Sequence, residues 1–204
     1  MFGITPSSRL RPSPFFQATL ADGVSAFTTY NRMLMPTSFG HPEEEYWRLM
    51  KGVSQWDVAC ERQVQLQGPD AGRLAQILSP RDLTHCKVGQ GKYVPLCDHA
   101  GTLINDPILL KLDDNRFWFS IADSNICFWA RAIAAERGLD VEVSEPDVSP
   151  LAVQGPKAED VVASIFGDWV RGLKYFWFRE TTLQGIPVTV ARSGWSKQGG
   201  FELY

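Results

Sequence analysis

The sequence predicts an α+β fold of antiparallel sheets with packed helices. A strand-turn-helix unit occurs twice, a β-rich meander separates the copies, and an alternating strand closes the chain. The first copy is Val64-Gln-Leu-Gln-Gly-Pro-Asp-Ala71 and the second is Leu151-Ala-Val-Gln-Gly-Pro-Lys-Ala158. Glycine lets the chain reverse after each strand, and proline is tolerated in the first helical turn, where its missing N–H leaves no bond unmade. Apolar residues then recur at helical spacing: Ala71, Leu74, Ala75 and Leu78 in one copy, Ala158, Val161, Val162 and Ile165 in the other.

Between the copies, Gly91 to Cys97, Thr102 to Leu112 and Arg116 to Ala122 read as strands, punctuated by turns at Asp98-His-Ala-Gly101 and Asp113-Asp-Asn115. Ser124 to Arg137 follows as an amphipathic helix stopped by Gly138, and Leu139 to Val143 as a closing strand. Glu145-Pro-Asp-Val-Ser-Pro150, with its two prolines, marks a crossing between domains. Asp106, between Asn105 and Pro107 in an otherwise apolar run, is either a surface bulge or a carboxylate presented to a cavity, and composition favours the bulge.

The last residues carry the densest functional pattern. Glycines at 194, 199 and 200 surround Trp195, Lys197 and Gln198, and Phe201-Glu-Leu-Tyr204 then alternates as a strand. Glu202 and Tyr204 share its open face, and Phe201 and Leu203 the other. A carboxylate beside an aromatic ring suits a planar, hydrogen-bonding heterocycle, although alternation alone describes a half-exposed hairpin strand equally well.

Composition bounds the function. With 44% apolar and 21% charged residues and a net charge of −3, the chain has neither the basic surface of a nucleic-acid binder nor that of a protein held on anionic membranes. It contains no apolar run of the roughly eighteen residues a membrane span needs and no signal-like start, so the default expectation is a cytoplasmic protein. Cys60, Cys86, Cys97 and Cys127 lack the close pairing of a zinc site or a disulfide framework and read as free thiols, so no metal is expected.

These segments together resemble the folate-dependent aminomethyltransferase family, which includes the glycine cleavage T protein. The likeness rests on Trp56-Asp-Val58, Gln67-Gly-Pro-Asp-Ala71, Gly91-Lys-Tyr93, Gly101 to Asp106, Leu151 to Ala158 and the closing Arg-Ser-Gly…Gly-Phe-Glu pattern. T proteins typically carry Arg-x-Gly-Tyr-Thr-Gly-Glu-x-Gly-x-Glu at that end. Here Trp195, Ser196, Lys197 and Gln198 replace the Tyr-Thr-Gly-Glu stretch, which argues against aminomethyl transfer. Ser193 to Tyr204, Tyr30-Asn31 with Met33-Leu34, and Asn105 to Leu112 are most similar to the family's sulfonium-demethylating branch.

The resemblance implies a T-protein-like fold lacking the family's C-terminal β-barrel domain. Residues 1–50 and 147–204 would form a discontinuous first domain around a ferredoxin-like insert at 51–146. It also implies tetrahydrofolate as methyl acceptor and dimethylsulfoniopropionate as donor, giving methylthiopropionate and 5-methyltetrahydrofolate. Glu202 would hold the pterin, with Tyr204, Tyr93 and, from a weaker correspondence, Ser120 lining the folate. Asp106 would orient the folate or take its proton, and Lys197 would meet the substrate carboxylate. Trp195, Tyr204 and the cluster Tyr175-Phe-Trp-Phe178 are candidates for an aromatic cage around the cation, the cluster fitting core packing as well.

A demethylase of another amine or aryl ether, an aminomethyltransferase, and a non-catalytic folate-binding protein remain the alternatives; a homodimer is also left open. Family members continue past the residue matching Tyr204, so these 204 residues alone are expected to be aggregation-prone and inactive, with a sheet edge unpaired.

Overall fold

The computed structural model describes residues 7–204. In chain order the elements are α1 (Phe16–Ala21), β1 (Ala26–Tyr30), β2 (Met33–Ser38), α2 (Pro42–Lys51), β3 (Ser54–Asp57), β4 (Gln63–Gln67), α3 (Ala71–Leu78), β5 (Gly91–Tyr93), β6 (Leu96–Cys97) and β7 (Leu103–Asn105). There follow β8 (Ile108–Asp113), β9 (Arg116–Ser120), α4 (Ile126–Glu136), β10 (Glu142–Ser144), β11 (Leu151–Gln154), α5 (Ala158–Phe166), a 3-10 turn at Asp168–Gly172, β12 (Phe178–Leu183), β13 (Ile186–Ala191) and β14 (Gly200–Leu203). All named strand pairings are antiparallel. Among the described residues, no helix is long and apolar enough to cross a membrane.

The chain divides into two compact units. The first comprises residues up to Cys60, Ser149–Gly172 and Ser193–Tyr204; the second comprises Glu61–Val148 and Leu173–Arg192. In the first unit β11 lies between β14 and β3, α5 packs on β11 and β14, and α2 packs against β3. Pro42 opens α2, Glu43, Glu44 and Glu45 follow in its first turn, and Arg48 and Lys51 stand in its last, the charge order that complements the helix dipole.

In the second unit the strand order is β10-β4-β9-β8-β5. Val64, Leu66, Leu109, Phe117, Phe119 and Val143 pack against the buried faces of α3 and α4. Gln63, Ser120, Ile108 and Tyr93 are register partners across four neighbouring strands, so they share the face opposite α3 and α4. Buried Arg62, just before β4, ties down the stretch 145–148 that follows β10. It pairs with Glu145 at 3.1 Å and donates to the carbonyls of Pro146 and Val148 at 3.3 and 2.7 Å.

The structure refines several sequence expectations. The run 102–112 is two strands, because Pro107 cannot donate to the ladder and Asp106-Pro107 separates β7 from β8. The run 91–97 likewise breaks at Val94-Pro95. In α5, Ala158 and Val162 are buried but Ile165 is 46% exposed; Ala163 supplies the buried position instead, so the apolar face is rotated by about one residue from the expected stripe.

The expected domain boundaries also differ from the two compact units. Residues 51–60 stand with the first unit because β3 pairs with β11. The hairpin β12-β13, expected in the first domain, stands with the second: Gly91 N–H donates to Phe176 O at 2.6 Å, Phe178 N–H to Gly89 O at 2.9 Å, and Arg116 pairs with Glu180 at 3.0 Å.

Candidate functional site

Two carboxylate clusters emerge, one in each unit. In the first, β14 carries Glu202 beneath the surface, at 5% exposure, with Tyr204 also buried. The closing strand is therefore covered at Phe201 and Glu202 alike, and the expected open face does not exist. Alternation still aligns Glu202 with Tyr204, whose hydroxyl donates to Glu202 Oε2 at 3.0 Å. Ser193 Oγ donates to the same oxygen. Among the described residues Oε1 accepts no hydrogen bond. Burial pushes the Glu202 carboxyl above the usual glutamate range, and the two hydroxyl donors only partly oppose that shift.

In the second unit, Asp106 occupies the break between β7 and β8 and is half-buried. Tyr93, at the end of β5, donates its hydroxyl to Asp106 Oδ2 at 2.9 Å. That bond holds the Tyr93 proton and raises its pKa. Asp106 Oδ1 accepts no bond among the described residues. The neighbouring Asn105 is buried and fixes the segment by donating to Ala122 O and Ser124 Oγ and accepting from Ala122 N–H.

Ser120 shares the sheet row of Tyr93 but is bonded to Gln63, whose Nε2 donates to its hydroxyl at 3.3 Å. Gln63 Oε1 is buried and has no partner among the described residues. Trp195 is 60% exposed and Lys197 holds a left-handed backbone, φ 60°, in the loop before β14. The cluster 175–178 is divided: Phe178 is buried in the second unit, whereas Tyr175 is exposed and packs its ring against Phe176 at 4.3 Å. Two surface cavities, of about 850 and 470 Å³, lie along α2 and beside Trp129, and none of the predicted site residues lines either.

Sequence reasoning thus paired Glu202 with Tyr204 but missed the groups that support them. The sequence pattern places Ser193 in the closing motif and Gln154 at a turn, and marks neither as a support for Glu202. Gln154 donates from Nε2 to the carbonyls of Ser193 and Phe201, and its Oε1 accepts from Ser196 Oγ. The available signal was Leu151-Ala-Val-Gln154, in which a polar residue closes an otherwise apolar strand before Gly-Pro.

The family model of the GCVT N-terminal domain matches residues 15–204. Over 204 residues, all of this chain and 56% of the relative, the chain is 49% identical to dimethylsulfoniopropionate demethylase DmdA of Ruegeria pomeroyi. Over 202 residues, 97% of this chain and 55% of the relative, it is 28% identical to an aminomethyltransferase of Staphylococcus haemolyticus. The chain therefore spans about half the length of the curated relatives it matches. The crystal structure of the glycine cleavage system aminomethyltransferase T from Bartonella henselae superposes with a TM-score of 0.82 over 95% of this chain and 53% of that one. At 23% identity this is a likeness of fold, and it agrees with the α+β arrangement of antiparallel sheets and packed helices. The chain belongs to the GCVT N-terminal domain family.

Proposed function

We propose that the complete protein transfers a methyl group from dimethylsulfoniopropionate to tetrahydrofolate, giving methylthiopropionate and 5-methyltetrahydrofolate. The single observation that carries this reading is the 49% identity to the demethylase across the whole chain. The side chains fit a folate. Glu202 is a desolvated carboxylate without a cationic partner among the described residues, and one of its oxygens is uncommitted. A pterin edge offers two parallel N–H donors, which is the complement of a carboxylate.

When bound, tetrahydrofolate supplies the nucleophilic nitrogen that accepts the methyl group. Glu202 holds the pterin, and Ser193 and Tyr204 keep its carboxylate oriented. Ser120 and Tyr93 are further folate contacts. Asp106, with Oδ1 uncommitted and Tyr93 fixing Oδ2, takes the proton released as the nitrogen is methylated. The aromatic face of Trp195, and the ring of Tyr204, attract the sulfonium through cation–π contact. Lys197 meets the substrate carboxylate. A sulfonium already carries a good leaving group, so the protein needs to align the reactants and exclude water rather than supply a covalent nucleophile.

Incubating the full-length protein with tetrahydrofolate and dimethylsulfoniopropionate should yield methyltetrahydrofolate by mass spectrometry. No methyl transfer there, together with turnover of an aminomethyl donor or a methoxyarene, would replace this reading with another folate-dependent transferase.

A further inference from the structure

We infer that Gln154 is a positioning residue, one buried amide that fixes the loop from Ser193 to Phe201 and through it the Glu202 carboxylate and the Trp195 ring. Gln154 ends β11 and is 1% exposed. Its Nε2 donates to Ser193 O at 3.0 Å and to Phe201 O at 3.2 Å, and its Oε1 accepts from Ser196 Oγ at 2.8 Å. Both ends of the loop and its middle therefore converge on one side chain. Burying a primary amide is costly unless donors and acceptor are all met, and the loop meets them.

The loop backbone independently records how closely it fits this amide. A Cβ at Gly194 would stand 2.1 Å from Gln154 Oε1, and one at Gly200 would stand 2.3 Å from Val153 O and 2.7 Å from Gln154 Nε2. Both glycines also hold left-handed φ, 144° and 146°. The two ends pass so near the amide that neither tolerates a side chain.

Ser193 is the pivot, because Gln154 holds its carbonyl while its hydroxyl donates to Glu202. Ser196 extends the grip, since its hydroxyl also accepts from Gln198 N–H at 3.1 Å, which closes the turn carrying Lys197. Gln154 thus acts on ligands only through other groups. Its effect on the reaction rests on the folate reading, whereas its effect on the loop does not.

Two near-isosteric variants test this in the full-length protein. Gln154→Met keeps the shape and loses all three bonds; Gln154→Glu keeps the acceptor for Ser196 but sets a carboxylate against two carbonyl oxygens. Native-state trypsin cleavage after Lys197 is expected to accelerate about tenfold in both, with cleavage outside residues 193–201 unchanged. The KM for tetrahydrofolate is expected to rise about tenfold while kcat changes less than about threefold.

Unchanged Lys197 cleavage and KM in both variants, or equal acceleration at sites throughout the chain, would overturn the inference. If neither variant folds, Ser196→Ala decides with two readouts, because it removes the contact to Gln154 Oε1 together with the one from Gln198 N–H: faster cleavage after Lys197 with faster exchange of the Gln154 Nε2 protons supports the inference, and unchanged Nε2 exchange refutes it. Accelerated loop cleavage in a protein whose wild type binds no tetrahydrofolate would keep the positioning role and discard the folate reading.

Discussion

Glu202 and Asp106 are both carboxylates that accept a hydrogen bond from a tyrosine, yet their surroundings differ in a way that separates their roles. Glu202 is buried, takes both its bonds on one oxygen from neutral hydroxyls, and has its pKa pushed up by lost hydration. Asp106 is half-buried in a strand interruption and takes one phenolic bond. A desolvated carboxylate with only neutral partners gains most from a ligand that brings a matched pair of donors, so it suits binding. A carboxylate that keeps contact with water can exchange protons during turnover, so it suits proton transfer.

The largest effect should come from Asp106→Asn, which preserves shape and removes the base. On this assignment kcat falls by about 100-fold or more, with the KM for tetrahydrofolate changed only a few-fold. Steady-state kinetics of the full-length protein would measure it. A raised KM with kcat intact would make Asp106 an orienting group like Glu202, and the contrast would collapse.

Glu202→Ala comes next. It should weaken tetrahydrofolate binding by about 100-fold, since a paired charge-assisted contact is lost, and calorimetric titration would measure the change. In the wild type, affinity should also fall as pH drops through the raised Glu202 pKa, because the donor pair needs the ionised form. Unchanged affinity in the alanine variant would remove the pterin assignment.

What was readable in the sequence follows physical range. The Gly-Pro turns and the stripe Ala71, Leu74, Ala75, Leu78 were legible because a strand-turn-helix unit is written in neighbouring residues, and all four side chains are buried. The Asp106 break was legible because Pro107 is itself a chain-local interruption. Alternation paired Glu202 with Tyr204 but does not reveal that the strand is buried, because β11 and α5, which pack on it, lie some forty residues earlier in the chain. The supporting bonds were less legible still: Gln154 meets carbonyls 39 and 47 residues away, and no periodicity encodes such contacts. The grouping of β12-β13 likewise depends on backbone bonds to Gly89 and Gly91.

A smaller effect should appear in stability. The Glu202 pKa is raised in the native state, so the folded chain holds that proton to higher pH than the unfolded chain does. Stability from this group is therefore full below the ordinary glutamate range and declines as pH rises through the raised value. Glu202→Gln removes the penalty. Urea unfolding should find the variant more stable than wild type at neutral pH, with the gap closing as pH falls below the ordinary glutamate range. A gap independent of pH would mean that Glu202 is not held in a desolvating site and resembles Asp106 after all.

The smallest effect concerns Tyr93, whose raised pKa follows first from the hydrogen bond it donates to Asp106. A phenol that donates to a carboxylate resists losing its proton, because the bond is lost and two negative charges then face each other. Tyr93 should therefore ionise above the ordinary tyrosine value of about 10. The difference in phenolate absorbance between wild type and Tyr93→Phe isolates its titration. In Asp106→Asn the same difference titration should move back toward the ordinary value, because an amide accepts the bond without carrying charge. If it stays raised, burial rather than Asp106 holds the Tyr93 proton, and the half-exposed character that distinguishes this pair from Glu202 would have to be given up.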